Sequence, residues 1–317
     1  MKRHSIKIPA IGTYLPVDRQ LNSKKAEKFG YDSNFLNNKL GFTSVALKGK
    51  EETTLDMCVK AFENLKQKIE LNVKDIQLIT VISQNPTVNI PHTSAMLHNI
   101  LELDKNCMTF DISQGCSGFC HAIQIVHSLM ESLGYNNALI FTCDTYRDII
   151  DENDHNVSMI FGDGGAVTLL SRDINQGYSL VDATFGTALG SYDCLICDNG
   201  LLKMDGRRVF NYAAQEVPKS IQLILERNEM SKEDINLYLL HQGSKFIVDS
   251  LTKILGVSPH KTEFSSSKYG NTVSSSIPIL LSNHLGNHAK TNVILSGFGV
   301  GFTWGTCLLK HIKNEEE

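Results

Sequence analysis

Cys116 has the setting that most favours chemistry in this chain of 317 residues. It lies between Gly115 and Gly118, after an apolar run at residues 108–112. Apolar residues at three- and four-residue spacing follow and end near Gly134. This pattern predicts a buried strand, a tight glycine turn and a long helix. A helix N-terminus stabilises a thiolate, so the sequence predicts that Cys116 is a nucleophile.

The remaining cysteines have settings that favour chemistry less. Cys116 itself has an ordinary alternative, because free cysteines are often buried and inert. Cys120 follows one helical turn later, which is weak support for a metal pair. Cys194 and Cys197 form a single CxxC motif without a second pair. Metal or redox use of that motif stays open, and an ordinary reduced pair is favoured.

Two further polar residues stand at the ends of predicted elements. His241 follows the apolar strand at residues 237–240, and Asn271 precedes a serine-rich helix start. Taken singly, they are explained as a hydrogen-bonded core histidine and a turn asparagine. With Cys116 they form a Cys-His-Asn set that suits nucleophilic acyl chemistry. A papain-like protease also uses such a set, but its cysteine comes near the mature N-terminus and its halves are not duplicated.

The composition is that of a globular protein, with 42% hydrophobic and 20% charged residues. The net charge of −4 argues against a nucleic-acid surface as the main interface. We expect neither a signal peptide nor a membrane span, because no apolar run is long enough. Eight cysteines without dense clustering indicate a reducing compartment, so the sequence predicts a cytoplasmic protein with no membrane or nucleic-acid partner.

Hydrophobic patterning predicts helices alternating with strands. A helix capped by Thr53 or Thr54 is expected at residues 55–69. Continuous apolar runs at 75–83 and 138–143 are typical of strands buried on both faces. The alternation favours an α/β fold.

The second half of the chain repeats segments of the first. Such self-similarity over half the chain predicts two related α/β halves, at residues 1–172 and 173–317. The repeated segments are 75–79 with 234–238, 137–141 with 292–296, and 161–170 with 298–309.

The chain resembles the β-ketoacyl-acyl-carrier-protein synthase III family of the thiolase superfamily over nearly its whole length. The resemblance implies a five-layered αβαβα thiolase-like fold made of two duplicated halves, and a homodimer. Elongating ketosynthases of this superfamily carry a second histidine where this chain has Asn271. The motifs that carry the resemblance are GCSGF around Cys116, IFGDGGA at 160–166, MDGRRVF at 204–210, HQ at 241–242, YGNTVSSSIP at 269–278 and GFGVGFTWG at 297–305.

The resemblance implies that Cys116, His241 and Asn271 are the catalytic residues. Cys116 would take an acyl primer from a thioester. His241 and Asn271 would serve a decarboxylative Claisen condensation with malonyl-acyl carrier protein, and the backbone N–H groups of Cys116 and Val300 would form an oxyanion hole. The substrates would be acyl-CoA or acyl-carrier-protein thioesters, with no metal or redox cofactor.

The resemblance also points to substrate-binding residues. Phe35 and Lys39 stand where the family often has a tryptophan and an arginine that grip coenzyme A, and Ser244 replaces a supporting asparagine. Ile90 is expected to end the acyl chain from across a dimer interface. The residues expected to dock an acyl carrier protein are Arg207, Arg208 and Lys253.

Two alternatives to the synthase stay open at this point. The first is an acyltransferase that moves an acyl group through Cys116 to an amine or hydroxyl without decarboxylation. The second is a catalytically silent partner subunit. The complete Cys-His-Asn set argues against the silent subunit but not against the acyltransferase.

Overall fold

The computed structural model describes residues 5–286 and 289–313. The outer ends of the two predicted halves, residues 1–4 and 314–317, lie outside the described residues. The strands are β1 (Lys7–Tyr14), β2 (Asp18–Leu21), β3 (Ser44–Leu47), β4 (Leu78–Ile82), β5 (Met108–Ile112), β6 (Asn137–Asp144), β7 (Gly164–Ser171), β8 (Gln176–Thr187), β9 (Leu195–Asp198), β10 (Leu201–Met204), β11 (Leu237–Leu240), β12 (Asn292–Gly299) and β13 (Thr303–Lys313). The α-helices are α1 (Asn22–Lys28), α2 (Thr54–Lys68), α3 (Thr93–Ile100), α4 (Gly118–Leu133), α5 (Gly206–Arg227), α6 (Lys245–Leu255) and α7 (Ser276–Ser282).

Two mixed sheets with the same strand arrangement form the framework. In the first, β4 pairs parallel with β6, β6 antiparallel with β7, and β7 antiparallel with β1. In the second, β11, β12, β13 and β8 pair in the same order and senses. The three repeated sequence segments fall on these equivalent strands, which confirms the predicted duplication. The position of the division at residue 172 stays a prediction.

The helices complete five layers around the two sheets. Helices α2 and α3 cover the outer face of the first sheet, and α4 and α7 lie between the sheets. Helix α5 covers the outer face of the second sheet, with α6 packed beside it. The arrangement is the expected five-layered αβαβα fold. None of the described helices combines the length and apolar character needed to cross a bilayer.

Helix α4 shows why these residues form a central layer. Its apolar stripe, including Phe119, Ile123 and Val126, is fully buried between the sheets. Each such side chain contributes about 1.5–3 kcal/mol through burial. Gly134 ends the helix in the left-handed conformation at φ 71°, as its sequence position predicts. The helix therefore holds its N-terminal turn, next to Cys116, in a rigid position.

The strand before Cys116 corrects one expectation. Strand β5 was expected to be buried, but it is an edge strand that pairs only with β4 among the described strands. Met108 is 36% exposed, and Phe110 and Ile112 are half-buried. The apolar pattern of β5 is that of a buried strand, but none of the described strands pairs with its outer edge.

Candidate active site

One cavity brings together Cys116, His241 and Asn271. It has a volume of about 350 Å³. The four strands β5, β6, β11 and β12 end near it, so it lies at the carboxyl edges of both sheets, where α/β proteins place their sites. Its other lining residues are Ile160, Phe161, Leu195, Met204, Gly206, Arg207, Val209, Phe210, Gly243, Ser244, Phe246, Ile247, Phe298 and Gly299.

Cys116 lies in the turn between β5 and α4, as the sequence predicts. The flanking glycines are required by close packing rather than by positive φ angles. A Cβ atom on Gly115 would lie 2.4 Å from Oε1 of Gln84, and one on Gly118 would lie 2.5 Å from Cγ2 of Ile82. Side chains at these positions would displace the end of β4 and the residues that hold Cys116 in place.

The protonation state of Cys116 differs from the sequence expectation. Helix α4 begins at Gly118, two residues after the cysteine, and the thiol is 3% exposed. Burial, together with the nearby Asp144 carboxylate, raises the pKa of the Cys116 thiol well above its usual range. Desolvation therefore opposes the thiolate that the helix N-terminus is expected to favour. If Cys116 attacks as the sequence predicts, a base would have to take its proton.

His241 is the group in the cavity that can take that proton. It follows β11 and is 3% exposed, and burial lowers its pKa to about 3, so the imidazole is neutral at pH 7. Its Nδ1 lies 2.7 Å from Oγ of Ser276. A hydroxyl can donate or accept a hydrogen bond, so Ser276 supports either tautomer of the ring. His241 can therefore accept a proton at Nε2 in one tautomer and donate a hydrogen bond there in the other.

Asn271 is held by main-chain hydrogen bonds and is 4% exposed. Its N–H donates to the Ile160 carbonyl at 2.8 Å, and its carbonyl accepts from the Gly162 N–H at 3.0 Å. Its side-chain Oδ1 accepts from the Val273 N–H at 2.9 Å. Because Oδ1 is occupied, the amide presents its Nδ2 donors to the remaining space. The residue is thus both the turn residue and the cavity residue that the sequence suggested as alternatives.

The last glycine loop runs directly past the thiol. A Cβ atom on Gly299 would lie 2.9 Å from Cβ and 3.0 Å from Sγ of Cys116. Val300 follows and starts a short turn. The carbonyl of Val300 accepts a hydrogen bond from Oγ1 of Thr303 at 2.9 Å. The backbone of Gly299 is therefore adjacent to the sulfur. The oxyanion-hole role of the Val300 N–H stays a prediction.

Aromatic and cationic side chains form the outer part of the cavity. The rings of Phe210 and Phe246 lie 5.0 Å apart, and Nζ of Lys39 lies 4.4 Å from the centroid of Phe246. Arg207 lines the same region and is exposed. Sequence reasoning missed both phenylalanines, although Phe210 lies within the quoted MDGRRVF motif and Phe246 follows His241 closely.

Some predicted substrate-binding residues lie away from this cavity. The ring of Phe35 stacks on Tyr31 at 3.9 Å, and the Tyr31 hydroxyl is 2.9 Å from Nδ1 of His155. Ile90 is 90% exposed and does not line the cavity within the chain. Ser244 lines the cavity, and its Oγ accepts from the Ile247 N–H at 3.3 Å as the cap of α6.

The three predicted docking residues have different settings. Arg207 lines the cavity, whereas Arg208 donates to Asp193 and to the Gly190 carbonyl, each at 2.8 Å. Lys253 is exposed on α6, beside a separate groove. Arg208 is therefore committed to its own chain, and Arg207 and Lys253 are the better placed for a partner.

Two polar residues behind Cys116 were missed by sequence reasoning. The Tyr146 hydroxyl donates to Oε1 of Gln84 at 2.7 Å, and this pair lies against Gly115. Tyr146 is 2% exposed and belongs to the same apolar cluster as Cys116. A glutamine two residues after a fully buried strand was the available indication.

The remaining cysteines form no disulfide among themselves or with Cys116. All eight cysteines are free thiols. Cys194 is buried and Cys197 is exposed, so the two thiols of the CxxC motif have different environments. Within residues 5–286 and 289–313, no group of three or more His, Cys, Asp or Glu side chains could hold a metal ion.

Comparison with known proteins adds to this geometry. The family model for 3-oxoacyl-[acyl-carrier-protein] synthase III matches residues 110–188, and the model for its C-terminal part matches residues 225–311. The chain is 30% identical to the β-ketoacyl-[acyl-carrier-protein] synthase III of Streptococcus mutans, covering 96% of this chain and 98% of that protein. It is 31% identical to the same enzyme of Streptococcus sanguinis, with the same coverage.

A solved structure shows the same likeness in three dimensions. The 3-oxoacyl-[acyl-carrier-protein] synthase III of Aquifex aeolicus superimposes with a TM-score of 0.88 at 26% identity. The match covers 96% of this chain and 99% of that one. Cys116 lies within the first matched family segment, and His241 and Asn271 lie within the second.

Proposed function

The chain belongs to the 3-oxoacyl-[acyl-carrier-protein] synthase III family of condensing enzymes, and on that premise we propose how its residues act. Cys116 accepts an acyl primer from a thioester and joins it to a two-carbon unit from malonyl-acyl carrier protein. The observation that carries the proposal is one apolar cavity that holds a thiol, a neutral imidazole and an amide whose oxygen is occupied.

The first half-reaction loads the primer. Sγ of Cys116 attacks the thioester carbonyl, and its proton passes to Nε2 of neutral His241. The backbone N–H groups of Cys116 and Val300 stabilise the oxyanion. The carbon–sulfur bond of the donor breaks, and its thiolate leaves with the proton held by His241. The product is an acyl-Cys116 thioester and a free carrier thiol.

The second half-reaction uses the two side-chain donors. The malonyl carboxylate leaves as carbon dioxide, and its bonding electrons move into the thioester to form an enolate. For this step His241 is in its other tautomer, with the Ser276 hydroxyl donating to Nδ1, so that Nε2–H of His241 and Nδ2–H of Asn271 donate to the enolate oxygen. The enolate carbon then attacks the acyl-Cys116 carbonyl, and the carbon–sulfur bond to Cys116 breaks. A 3-oxoacyl thioester is released, and the Cys116 thiolate takes a proton from water to restore the thiol.

Asn271 distinguishes this function from simple acyl transfer. An acyltransferase needs a base to deprotonate an amine or hydroxyl acceptor, and neutral His241 could serve as that base, but it has no use for a second fixed donor on the thioester oxygen. The cavity places the Asn271 amide beside the His241 imidazole, and no carboxylate lines it. Two donors aimed at one oxygen favour enolate formation.

Substrates and cofactors follow from the same chemistry. The primer is proposed to arrive on coenzyme A or on acyl carrier protein. Arg207 and Lys39 place cations at the outer part of the cavity, where they can meet the phosphates of either carrier. Thiol, imidazole, amide and backbone groups supply every step, so we propose that the reaction uses no metal or redox cofactor.

The proposal is tested by release of labelled carbon dioxide from malonyl-acyl carrier protein, measured beside acyl loading of Cys116 by intact mass. Asn271→Ala is expected to lower decarboxylation by about 100-fold, the scale for losing one preorganised donor, while Cys116 still loads. Asn137→Ala is the matched control. Asn137 is 5% exposed, but it lies at the opposite end of β6 and bonds to Asp173 and Ser171.

Two outcomes would contradict the proposal. If the wild type loads acyl groups but decarboxylates no malonyl thioester, the acyltransferase replaces the synthase. If Asn271→Ala and Asn137→Ala lose activity equally, the loss reflects stability and Asn271 is not a donor.

We further propose that the chain works as a cytoplasmic homodimer. The outer edge of β5 carries half-buried apolar side chains and has no partner among the described strands, and Ile90 is 90% exposed. A second copy could cover both features. The reduced state of all eight thiols suits the cytoplasm. Sedimentation at micromolar concentration tests the dimer, and Ile90→Ala should alter primer chain-length preference if Ile90 reaches the partner's cavity.

A further inference from the structure

We propose that Asp144, from the N-terminal half, is the residue that positions Asn271 of the C-terminal half. Asp144 does not line the cavity, so it is a positioning residue and does not touch the reacting atoms. The inference rests on the proposed role of Asn271 as a donor to the enolate.

Asp144 ends β6 and is fully buried. One carboxylate oxygen accepts from the Gln84 N–H at 2.9 Å. The other accepts from both the N–H and the hydroxyl of Ser274, with the N–H at 3.2 Å. Ser274 lies 130 residues further along the chain, three residues after Asn271. The carboxylate therefore joins the end of the first sheet to the turn that carries Asn271.

The turn between Asn271 and Ser274 needs to be held. Val273 has a φ of 52°, a left-handed conformation that a β-branched residue rarely adopts. Such a conformation persists only where the surroundings impose it. Here Oδ1 of Asn271 accepts a hydrogen bond from the Val273 N–H, and Asp144 accepts one from the Ser274 N–H. Because the first hydrogen bond holds Oδ1 of Asn271 in place, it also sets the direction of the Nδ2 donors.

A carboxylate is well suited to this position. Donors from Ser83, Gln84 and Ser274 converge on it, and only an ionised carboxylate accepts at both oxygens without a proton of its own. The cost is visible in two ways. Burial raises the pKa of Asp144 to about 6, and the charge of Asp144 contributes to the raised pKa of Cys116. The negative charge of Asp144 opposes formation of the Cys116 thiolate. Its presence beside the site is therefore consistent with the positioning of Asn271.

The position of His241 does not depend on the hydrogen bonds between Asp144 and Ser274 as that of Asn271 does. Its partner Ser276 is the first residue of α7, which packs between the two sheets. Loss of Asp144 should therefore leave His241 and acyl loading in place. Removal of the negative charge should also ease ionisation of Cys116. Only the step that needs Asn271 is expected to fail.

The test compares Asp144→Ala with Asp163→Ala. Asp163 is also fully buried, has a pKa raised to about 6, and accepts two backbone N–H groups, from Lys48 and Arg147. Its carboxylate does not contact the 271–276 turn. Asp144→Ala should lower decarboxylation by about 30-fold or more, because a displacement near 1 Å costs about that much. Acyl loading should stay within about 3-fold of the wild type, since it does not use Asn271.

Ser274→Ala provides a second, milder variant. It removes one of the two Ser274 donors and leaves Asp144 and Gln84 unchanged, so it should fold even if Asp144→Ala does not. We expect it to lower decarboxylation by about 3–10-fold with loading unchanged, the scale for loss of one ordinary hydrogen bond, because the Ser274 N–H still binds Asp144. Equal losses in both half-reactions, or in the Asp163→Ala control, would overturn the inference.

A crystal structure of Asp144→Ala, or of Ser274→Ala, gives a readout independent of activity. Val273 should leave the left-handed region and the Asn271 amide should turn or shift. An unchanged Val273 and Asn271 would overturn the inference, whether or not the wild type decarboxylates malonyl thioesters. Failure of the wild type to release carbon dioxide would instead count against the proposed function alone.

Discussion

The inner and outer parts of the cavity are built differently. At the inner end, Cys116, His241 and Asn271 are each at most 4% exposed. His241 and Asn271 have specific hydrogen-bond partners there, and both are neutral. At the outer end, Lys39 and Arg207 are exposed and Phe246 is half-buried. In the proposed mechanism the inner end therefore carries the reacting groups, and the outer end contacts the carrier.

The physical reason is the difference in access to water. A buried polar group that loses its partner is left unsatisfied, which costs about 1–3 kcal/mol, and it also changes position. An exposed cation is screened by salt, and one such contact contributes about 0–1 kcal/mol. Substitutions at the inner end should therefore abolish steps, whereas those at the outer end should change affinities.

The largest effect is expected for Cys116→Ser. It replaces the thiol nucleophile by a weaker hydroxyl, and acyl loading measured by intact mass should fall by more than about 1,000-fold. Cys120→Ala is the control, because Cys120 is buried in α4, four residues after Cys116, but does not line the cavity. An acyl group found on another cysteine of the wild type would remove Cys116 from the mechanism.

Gly299→Ala should come next. The new methyl group would lie 3.0 Å or less from Cβ and Sγ of Cys116, so either the sulfur or the loop must move. We expect loading to fall by about 10–100-fold, the scale for a displacement of about 1 Å at a reacting centre. Gly49→Ala, where the nearest atom is 3.6 Å away and outside the cavity, is the control. If Gly299→Ala loads acyl groups as fast as the wild type, the contact between the Gly299 backbone and the Cys116 thiol does not affect loading.

The smallest effects are expected at the outer end, for Arg207→Glu and Lys253→Glu. Each should raise KM for malonyl-acyl carrier protein by about 3–10-fold, leave kcat unchanged and flatten the salt dependence of KM. A malonyl thioester of a small thiol serves as the control substrate, and its KM should not change with Lys253→Glu. A fall in kcat with the carrier protein would contradict the division between inner and outer ends.

Much of this site was predictable because its indications are local. The glycine-flanked Cys116 predicts a strand–turn–helix, and α4 ends at Gly134 as expected. Thr53 caps α2 through the Asp56 N–H, one of the two caps that the sequence allowed. The repeated segments identified equivalent strands of two sheets. These features depend on the spacing of neighbouring residues, which a sequence displays directly.

Other features depend on contacts between distant segments and could not be predicted. The pattern of β5 is that of a buried strand, but no described strand pairs with its outer edge. The carrier role of Phe35 stays a prediction, and the stacking of its ring on Tyr31 is a contact that the sequence did not indicate. Neither the edge position of a strand nor the partner of an aromatic ring is encoded in local periodicity.

By itself, the sequence determined the duplicated α/β halves, the turn that holds Cys116 and the Cys-His-Asn set, because spacing and residue type suffice for these. Only the tertiary structure decided the protonation states of Cys116 and His241 and the hydrogen bonds that hold the site together. Cys116 is a thiol and His241 a neutral imidazole because the packed layers remove water from both. Asp144 meets Ser274 across 130 residues because the two sheets end at the same cavity. Desolvation and long-range hydrogen bonds exist only once the layers have packed.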